Sequence, residues 1–247
     1  MRNLAPSRSL TRRANQRKMI AFFIGAIGFF VLAIGLLLLL IPFAAPGSPS
    51  YTTYQLIDTL IILAGIVLIV IAIVIAVRAF NYRKDNDLAL ATGNFLTQFL
   101  DDRFTFIRNI NSRETGYIDA VLVGPPGVLV FYILDVTGAW ANEGSDWLKQ
   151  DSAGQWLPAH VNPTFEAVAD IRRMREYLTK RELSEVPVYG LIVFLTEPPA
   201  LSVVAKNPVV PLTRLPSVVD TLRDNYFAKD RIDAGRVNAI VDMLYSG

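Results

Sequence analysis

The chain has 247 residues, of which 52% are hydrophobic and 19% are charged, and its formal net charge is +2. Such a large apolar share is unusual for a soluble domain and directs attention to membrane-spanning segments. Because the sequence contains no cysteine, disulfide bonds, zinc–cysteine sites and thiol catalysis are excluded.

Two uncharged apolar segments lie in the N-terminal third of the sequence. A basic arm at residues 1–18 precedes MIAFFIGAIGFFVLAIGLLLLLIPFAA at 19–45, and TLIILAGIVLIVIAIVIAV lies within 57–79. Each segment is close to the ~20 apolar residues that a helix needs to cross a bilayer. The short segment between them, 46–56, starts with Pro, Gly and Ser, which favour a turn. We therefore predict a two-helix transmembrane hairpin.

The charges that flank the hairpin predict its orientation. Residues 1–18 contain six Lys and Arg and no acid, and Arg78, Arg83 and Lys84 follow the second span, whereas residues 46–56 contain neither Lys nor Arg. Lys and Arg are retained on the cytoplasmic side of a membrane, and the basic arm also suits anionic lipid headgroups. We expect a multi-pass inner-membrane protein with both termini and its main domain in the cytoplasm, and the lipid bilayer as a partner.

Small residues recur at four-residue spacing in both spans, at Ala21 and Gly25 and at Ala72 and Ala76. This spacing allows helices to approach closely, and a homo-oligomer formed in this way is one alternative. Within the two uncharged segments quoted above there is no ionisable side chain, so a transport or proton-relay role has no support.

After a juxtamembrane linker at 80–90, we expect one α/β domain at 91–247. The segment DLALATGNFLTQFLDDRF (87–104) has apolar residues at helical spacing, and FTFIRNI and YIDAVLVG alternate as strands do. A PPG turn leads into VLVFYIL, which is apolar on both faces and is therefore expected at the centre of a sheet. The tryptophan-rich stretch GAWANEGSDWLKQDSAGQWLPAHV that follows is expected to be a polar loop packed on that sheet.

The second half of the domain begins with a strong helix signal. Asn162 is a suitable N-cap and Pro163 suits the first helical position. The strand VPVYGLIVFL, a short strand VVPL and two further helices follow. The predicted order is α-β-β-β-α-β-β-α-α, an α/β domain with a mixed sheet. The apolar stripe expected on its central helix consists of Phe165, Val168, Ile171, Met174 and Leu178.

The charge of this domain bears on nucleic-acid binding. From Arg78 onward there are 18 Lys and Arg against 21 Asp and Glu, so the bulk charge does not indicate the basic face that phosphate binding needs. The only histidine, His160, is expected to be an ordinary satisfied residue rather than a metal ligand.

The order and spacing of these signals resemble the nuclease-related domain, NERD, over roughly Ala91 to Asp224. The resemblance implies a mixed-sheet, restriction-endonuclease-like fold, distantly related to the PD-(D/E)xK superfamily. The features that carry it are Gly93 in the opening helix, Arg108–Asn109 at a strand end, GYIDAVLV, PPGVLVF, Gly138, and Asn162–Pro163 opening a helix.

In active members the resemblance implies two carboxylates that bind Mg²⁺ and a lysine that positions the attacking water. Asp119 matches the first acid. The expected Glu and Lys of the central strand fall on Tyr132 and Leu134, and the acid of the opening helix falls on Asn94. Of the expected polar set, only Asp119 is therefore kept in kind.

Two functional hypotheses follow from this pattern. The first is a catalytically degenerate nuclease fold that needs no cofactor and acts as a binding or scaffold module for nucleic acid or a cytoplasmic protein. The alternative is a Mg²⁺-dependent, membrane-tethered nuclease in which Asp119 acts with Asp135 or Glu166 as metal ligands. Its base would come from Lys149, Arg172 or Arg173. A third hypothesis is a structural membrane protein whose domain only mediates oligomers.

The same residues also fit purely structural roles. Asp119 would pair with Arg108, Arg172 or Arg173, and Asp135 would be an ordinary turn carboxylate. Glu166 would favour the dipole of its helix without any chemistry. These readings stay open on the sequence alone.

Overall fold

The computed structural model describes the backbone of residues 1–5, 8–43, 45 and 47–246, and the side chains of 1–5, 16–43, 45, 47–79 and 87–245. The chain divides into two compact units. One is Ser9–Lys84, and the other combines Met1–Arg8 with Asp85–Gly247.

The unit Ser9–Lys84 is a helical hairpin. Helix α1 is Arg8–Leu40, and helix α2 begins at Tyr51, earlier than the expected start of the second span. Two stretches, Gln16–Leu40 and Tyr51–Ala79, are long and apolar enough to cross a membrane, and both are mostly exposed. The predicted pair of apolar helices is therefore present.

Glycines bring the two helices of this hairpin close together. A Cβ placed on Gly65 would lie 2.7 Å from the backbone nitrogen of Leu32, and one on Gly35 would lie 2.6 Å from Cγ1 of Ile62. A Cβ on Gly25 would be 3.4 Å from Cβ of Ala72. The small residues noted in the sequence thus serve contact within the chain.

Helix α2 extends from Tyr51 to Thr97 without interruption. The expected linker at 80–90 is instead helical, and the helix predicted to begin at Asp87 is the end of α2. The physical reason is that no Gly or Pro stands between Gly65 and Gly93, so nothing in this stretch terminates the helix.

The second unit contains two β-sheets. The strands are β1 (Arg2–Leu4), β2 (Thr105–Ser112), β3 (Gly116–Gly124), β4 (Gly127–Leu134), β5 (Gly138–Glu143), β6 (Asp146–Gln150), β7 (Trp156–Pro158), β8 (Val188–Phe194), β9 (Leu201–Lys206) and β10 (Leu212–Arg214). Its helices besides the end of α2 are α3 (Pro163–Thr179), α4 (Val218–Arg223) and α5 (Ala234–Ser246), with a 3₁₀ turn at Leu215–Ser217.

The larger sheet has the order β1-β2-β3-β4-β8-β10. Strand β3 is antiparallel to both β2 and β4, β1 is parallel to β2, and β8 is parallel to both β4 and β10. Helix α3 connects the parallel strands β4 and β8 as the predicted crossover. The expected mixed-sheet α/β fold is confirmed, and the apolar strand β4 is central as predicted.

Strand β1 of the larger sheet and helix α3, which packs on that sheet, differ from expectation. The first residues of the predicted basic arm form strand β1. On α3, Phe165 and Val168 are 69% and 42% exposed, so the predicted apolar stripe is wrong at these positions. The face of α3 that packs on the sheet includes Ala167, Asp170, Met174, Tyr177 and Leu178.

The smaller sheet has the order β7-β6-β5-β9. The stretch predicted to be a polar loop supplies three of these strands, because Trp140 and Trp147 are buried on one face while the residues beside them are more exposed. Strand β9 was not predicted. The indole Nε1 of Trp147 donates to Oγ1 of Thr164 at 2.8 Å and thereby ties this sheet to α3.

Candidate functional site

Asp119 lies where strands β3 and β4 part. Their paired register runs from Gly124 opposite Gly127 to Ala120 opposite Phe131. Just beyond that pair, Oδ2 of Asp119 accepts a hydrogen bond of 2.7 Å from the backbone N–H of Ile133. A side-chain carboxylate thus continues the pairing of β4 that the backbone of β3 provides before it.

The positions of the expected Glu and Lys belong to an apolar cluster. Tyr132 and Leu134 stand two residues apart on β4, so they project to one face. Both pack against a buried apolar cluster that includes Trp140, Trp147 and Phe194. The rings of Trp147 and Phe194 lie 6.1 Å apart. At these two positions the structure therefore shows hydrophobic packing.

Asp135 follows the end of β4 and is held by the neighbouring strand. Leu134 is opposite Phe194 in the parallel pair of β4 and β8, and Oγ1 of Thr196 donates to Oδ1 of Asp135 at 2.7 Å. This contact joins the residues that leave the two strands, as expected where parallel strands end at the same edge of a sheet.

Each basic residue considered as a replacement for the missing lysine has a partner of its own. Nζ of Lys149, on β6, lies 5.2 Å from the ring centroid of Trp140, a cation–π contact. Nε of Arg172 lies 2.9 Å from Oε1 of Glu176. Arg173 forms an ion pair with Asp170, on its own helix.

Arg173 also reaches the sheet. Its Nη2 donates to the carbonyl of Tyr117 at 3.3 Å, and the hydroxyl of Tyr117 donates to Oδ1 of Asn109 at 3.2 Å. Asn109 is buried and has a positive φ of 55°. A chain of polar contacts therefore runs from α3 across β3 to β2.

Glu166 and Asp170 are two acidic residues in the first half of α3. Oδ1 of Asn162 caps the helix by accepting from the backbone N–H of Phe165 at 2.9 Å, and Glu166 lies in the first turn as predicted. Asp170 is 5% exposed. Burial raises the pKa of Asp170 to about 6, and the charge of Glu166 adds to this rise, while Arg173 opposes it.

Asn94, which stands where the opening-helix acid was expected, contacts the first strand. Its Oδ1 accepts from Nδ2 of Asn3 at 3.3 Å. A Cβ on the preceding Gly93 would lie 2.6 Å from the same Asn3 nitrogen. This pair therefore packs β1 against the end of α2.

Among the residues whose side chains the structure describes, no three His, Asp or Glu side chains come together in a way that would hold a metal ion. Asp119, Asp135 and Glu166 do not form such a group. Asp119 and Asp135 instead accept hydrogen bonds from Ile133 and Thr196.

Sequence reasoning missed several polar residues of this region. Asp170 was passed over because it lies between the positions of the expected apolar stripe. An acid three residues before an arginine on one helix face was the available signal. Thr196 had no sequence signal, because its contact to Asp135 joins separate strands. The Arg108–Asn109 pattern marked Asn109 but not its contact to Tyr117 on the neighbouring strand.

The antiparallel pairs β2–β3 and β3–β4 and the crossover through α3 to β8 form a mixed-sheet α/β domain, which is consistent with a nuclease-like domain. Residues 84–195 match the family model described as the nuclease-related domain, NERD. The chain therefore carries a NERD domain, which confirms the resemblance found in the sequence. The match ends just after β8, so β9, β10, α4 and α5 lie beyond it. Comparison with curated proteins and with solved structures finds no match in either.

Proposed function

We propose that this protein is a membrane-anchored NERD-domain protein whose nuclease site is catalytically degenerate. Its domain acts as a binding or scaffold module at the cytoplasmic face of the inner membrane. The observation that carries the proposal is the packing of Tyr132 and Leu134 into the apolar cluster with Trp140 and Trp147. These two positions would hold the second metal-binding carboxylate and the lysine of an active enzyme.

The energetic consequence of these replacements is large. Removal of one group that stabilises charge in a transition state costs about 3–4 kcal/mol. Here a carboxylate and a cation are both replaced by side chains that carry no charge. The positive side chains of Lys149, Arg172 and Arg173 are each engaged elsewhere, which supports a module that binds rather than cuts.

The alternative is a metal-dependent nuclease that uses Asp119 with Asp135 or Glu166. Asp119 is the specific observation in its favour, because an acid at this strand position matches the family pattern. The alternative requires the carboxylate of Asp119, whose Oδ2 accepts from the backbone N–H of Ile133, to bind Mg²⁺.

A cleavage assay separates the two functions. The full-length protein in detergent micelles is incubated with DNA and with RNA in the presence of Mg²⁺ or Mn²⁺, beside the Asp119→Asn variant. The degenerate-site proposal expects no metal-dependent cleavage by either protein. Cleavage by the wild type that Asp119→Asn abolishes would establish the alternative.

The membrane orientation has its own test, which the cysteine-free sequence makes simple. Ser48→Cys places a thiol in the segment that connects the two apolar helices. Ser184→Cys places one at an exposed position of the unit that contains the NERD domain. With a membrane-impermeant maleimide, Ser48→Cys should react in intact cells and Ser184→Cys only after permeabilisation. The reverse pattern would place the domain outside the cytoplasm.

A further inference from the structure

Strand β9 is the longest edge strand of the two sheets. Among the described strands it pairs with β5 alone, and it has six residues, whereas the edge strands β1, β7 and β10 have three each. Its sequence, LSVVAK, has no proline and carries a single charge at its end. Proteins usually shorten, charge or cover such edges, and none of these devices protects the middle of β9.

The exposure of β9 agrees with an open edge. Ser202, Val204, Ala205 and Lys206 are all exposed, and Val204 is 64% exposed. On the same outward face, Val204 is opposite Ala141, and Ala141 is opposite Leu148. Because Leu148 is itself 37% exposed, the apolar surface continues from the edge onto the face of the smaller sheet.

The backbone of β9 has a defined set of groups that point to this edge. The N–H of Gly138 donates to the carbonyl of Ala200, and the N–H of Gly144 donates to the carbonyl of Lys206. Since a parallel ladder uses alternate residues, the even-numbered residues of β9 point to β5. Val203 and Ala205 therefore direct their N–H and C=O groups to the open edge, together with the carbonyl of Leu201.

We propose that β9 is a self-association site, at which β9 of a second copy of this chain pairs antiparallel across a two-fold axis through Val203. In this register Val203 is opposite Val203 of the second copy, and Leu201 is opposite Ala205. The pair forms about four backbone hydrogen bonds and joins the two smaller sheets into one continuous sheet.

Charge and symmetry favour a second copy as the occupant. Lys206 is the only charged residue of β9, and its Nζ lies 2.7 Å from Oε1 of Glu143. In the two-fold pair the two lysines lie at opposite ends, so no like charges are opposed. An identical strand presents matching donors and acceptors by symmetry, whereas an unrelated strand would need to supply them independently.

Single cysteines test this pairing directly, since the chain has none of its own. Residues that exchange hydrogen bonds across an antiparallel pair have Cα atoms about 5.5 Å apart, within the range that a disulfide spans. Full-length Val203→Cys, mildly oxidised in detergent micelles and in native membranes, should form a disulfide-linked dimer. Its dimer band should be several-fold stronger than that of Leu157→Cys, on the opposite edge of the same sheet.

The register has a separate readout. An axis through Val203 places Ser202 opposite Val204 of the second copy. A mixture of Ser202→Cys and Val204→Cys proteins, one of them tagged, should therefore give several-fold more heterodimer than either gives homodimer. A dimer that forms through another surface would not show this preference.

A proline variant tests the dependence on backbone bonding. Ala205→Pro removes an N–H that points to the open edge, where proline is tolerated in strands, and should abolish the Val203→Cys dimer. Ala205→Ser keeps the N–H and should leave the dimer unchanged. Tryptophan fluorescence checks that the fold is retained, and the cysteine pairs decide the proposal if the proline variant unfolds. A Val203→Cys band no stronger than the Leu157→Cys band, or a dimer that survives in folded Ala205→Pro, would overturn it.

Discussion

The carboxylate of Asp119 and the backbone N–H of Ile133 are joined by a hydrogen bond of 2.7 Å across the point where β3 and β4 part. Ile133 is 6% exposed, so water does not readily replace this acceptor. Asp119, which the sequence matches to the acid of an active nuclease, therefore also stabilises the fold. Loss of its side chain should lower the free energy of unfolding.

We expect Asp119→Ala to lower the free energy of unfolding by about 1–3 kcal/mol, the cost of leaving a buried N–H without an acceptor. Asp119→Asn retains a carbonyl oxygen and should cost clearly less. Thermal unfolding of the full chain in detergent, followed by tryptophan fluorescence, measures both. Equal losses in the two variants would contradict the structural task assigned to the carboxylate.

Leu134→Lys would place the expected lysine back at its strand position. The structure predicts destabilisation by about 1–3 kcal/mol, because an ammonium group would enter the cluster around Trp140 and Trp147. Leu148→Lys is the matched control, since Leu148 lies on the outward face of the smaller sheet and is 37% exposed. The same unfolding experiment should show little change for the control; a Leu134→Lys protein as stable as the wild type would show that this position is not part of the core.

From the raised pKa of Asp170 we expect the stability of the protein to depend on pH. Burial raises its pKa from an ordinary 3.8 to about 6 in the folded protein, so the folded state holds a proton that the unfolded state releases between these values. Stability therefore falls as pH rises from 4 to 6, by about 2–3 kcal/mol from this group. Well below pH 3.8 both states are protonated, so the stabilisation from this group is fully present and no longer changes with pH.

The matched variant is Asp170→Asn, which cannot titrate. Plotted against pH, the difference in unfolding temperature between wild type and Asp170→Asn should change through pH 4–6 and level off above it. Other groups that titrate in this range cancel in the difference. A difference that stays constant with pH would show that Asp170 keeps an ordinary pKa.

The close glycine contacts between the two helices of the hairpin lead to a separate prediction. Gly65→Ala would place a Cβ 2.7–2.8 Å from backbone and side-chain atoms of Leu32, whereas Gly25→Ala would meet Cβ of Ala72 at an ordinary 3.4 Å. Forcing an extra carbon into a close-packed contact costs about 1–3 kcal/mol. Gly65→Ala should lower the temperature at which the detergent-solubilised protein aggregates, while Gly25→Ala should leave it unchanged. Equal behaviour of the two variants would mean that the helices do not pack through these glycines.

Several features were readable from the sequence because they depend on local pattern. The two apolar segments, the central strand ending at Leu134, the Asn162–Pro163 helix start and the NERD resemblance all rest on short-range periodicity or spacing, and the structure and family match agree with them. The placement of Tyr132 and Leu134 on one face of β4 was also evident, since β-strand alternation specifies which positions share a face.

Other features escaped because the signal was weak or distributed. The smaller sheet was read as a loop, since its strands are short and interrupted by Gly, Asp and Ser. The helical stretch at 80–90 was read as a linker because it is polar, although nothing in it stops a helix. The face of α3 was misjudged because Phe165 and Val168 are apolar but exposed.

The sequence by itself determined the two apolar helices, the mixed α/β class and the placement of Tyr132 and Leu134 on one face of a strand, because each follows from residue type and spacing along the chain. Only the tertiary structure decided what the polar residues do. Asp119 bonds to Ile133, Asp135 to Thr196 and Arg173 to Asp170. The contacts of Asp119 and Asp135 join residues that are far apart in the sequence. The pair of Arg173 and Asp170 lies within α3, but its burial depends on which face of α3 packs on the sheet. Strand β9 was left at the edge of its sheet for the same reason: strand order is set by packing over long sequence separations, which local periodicity does not encode.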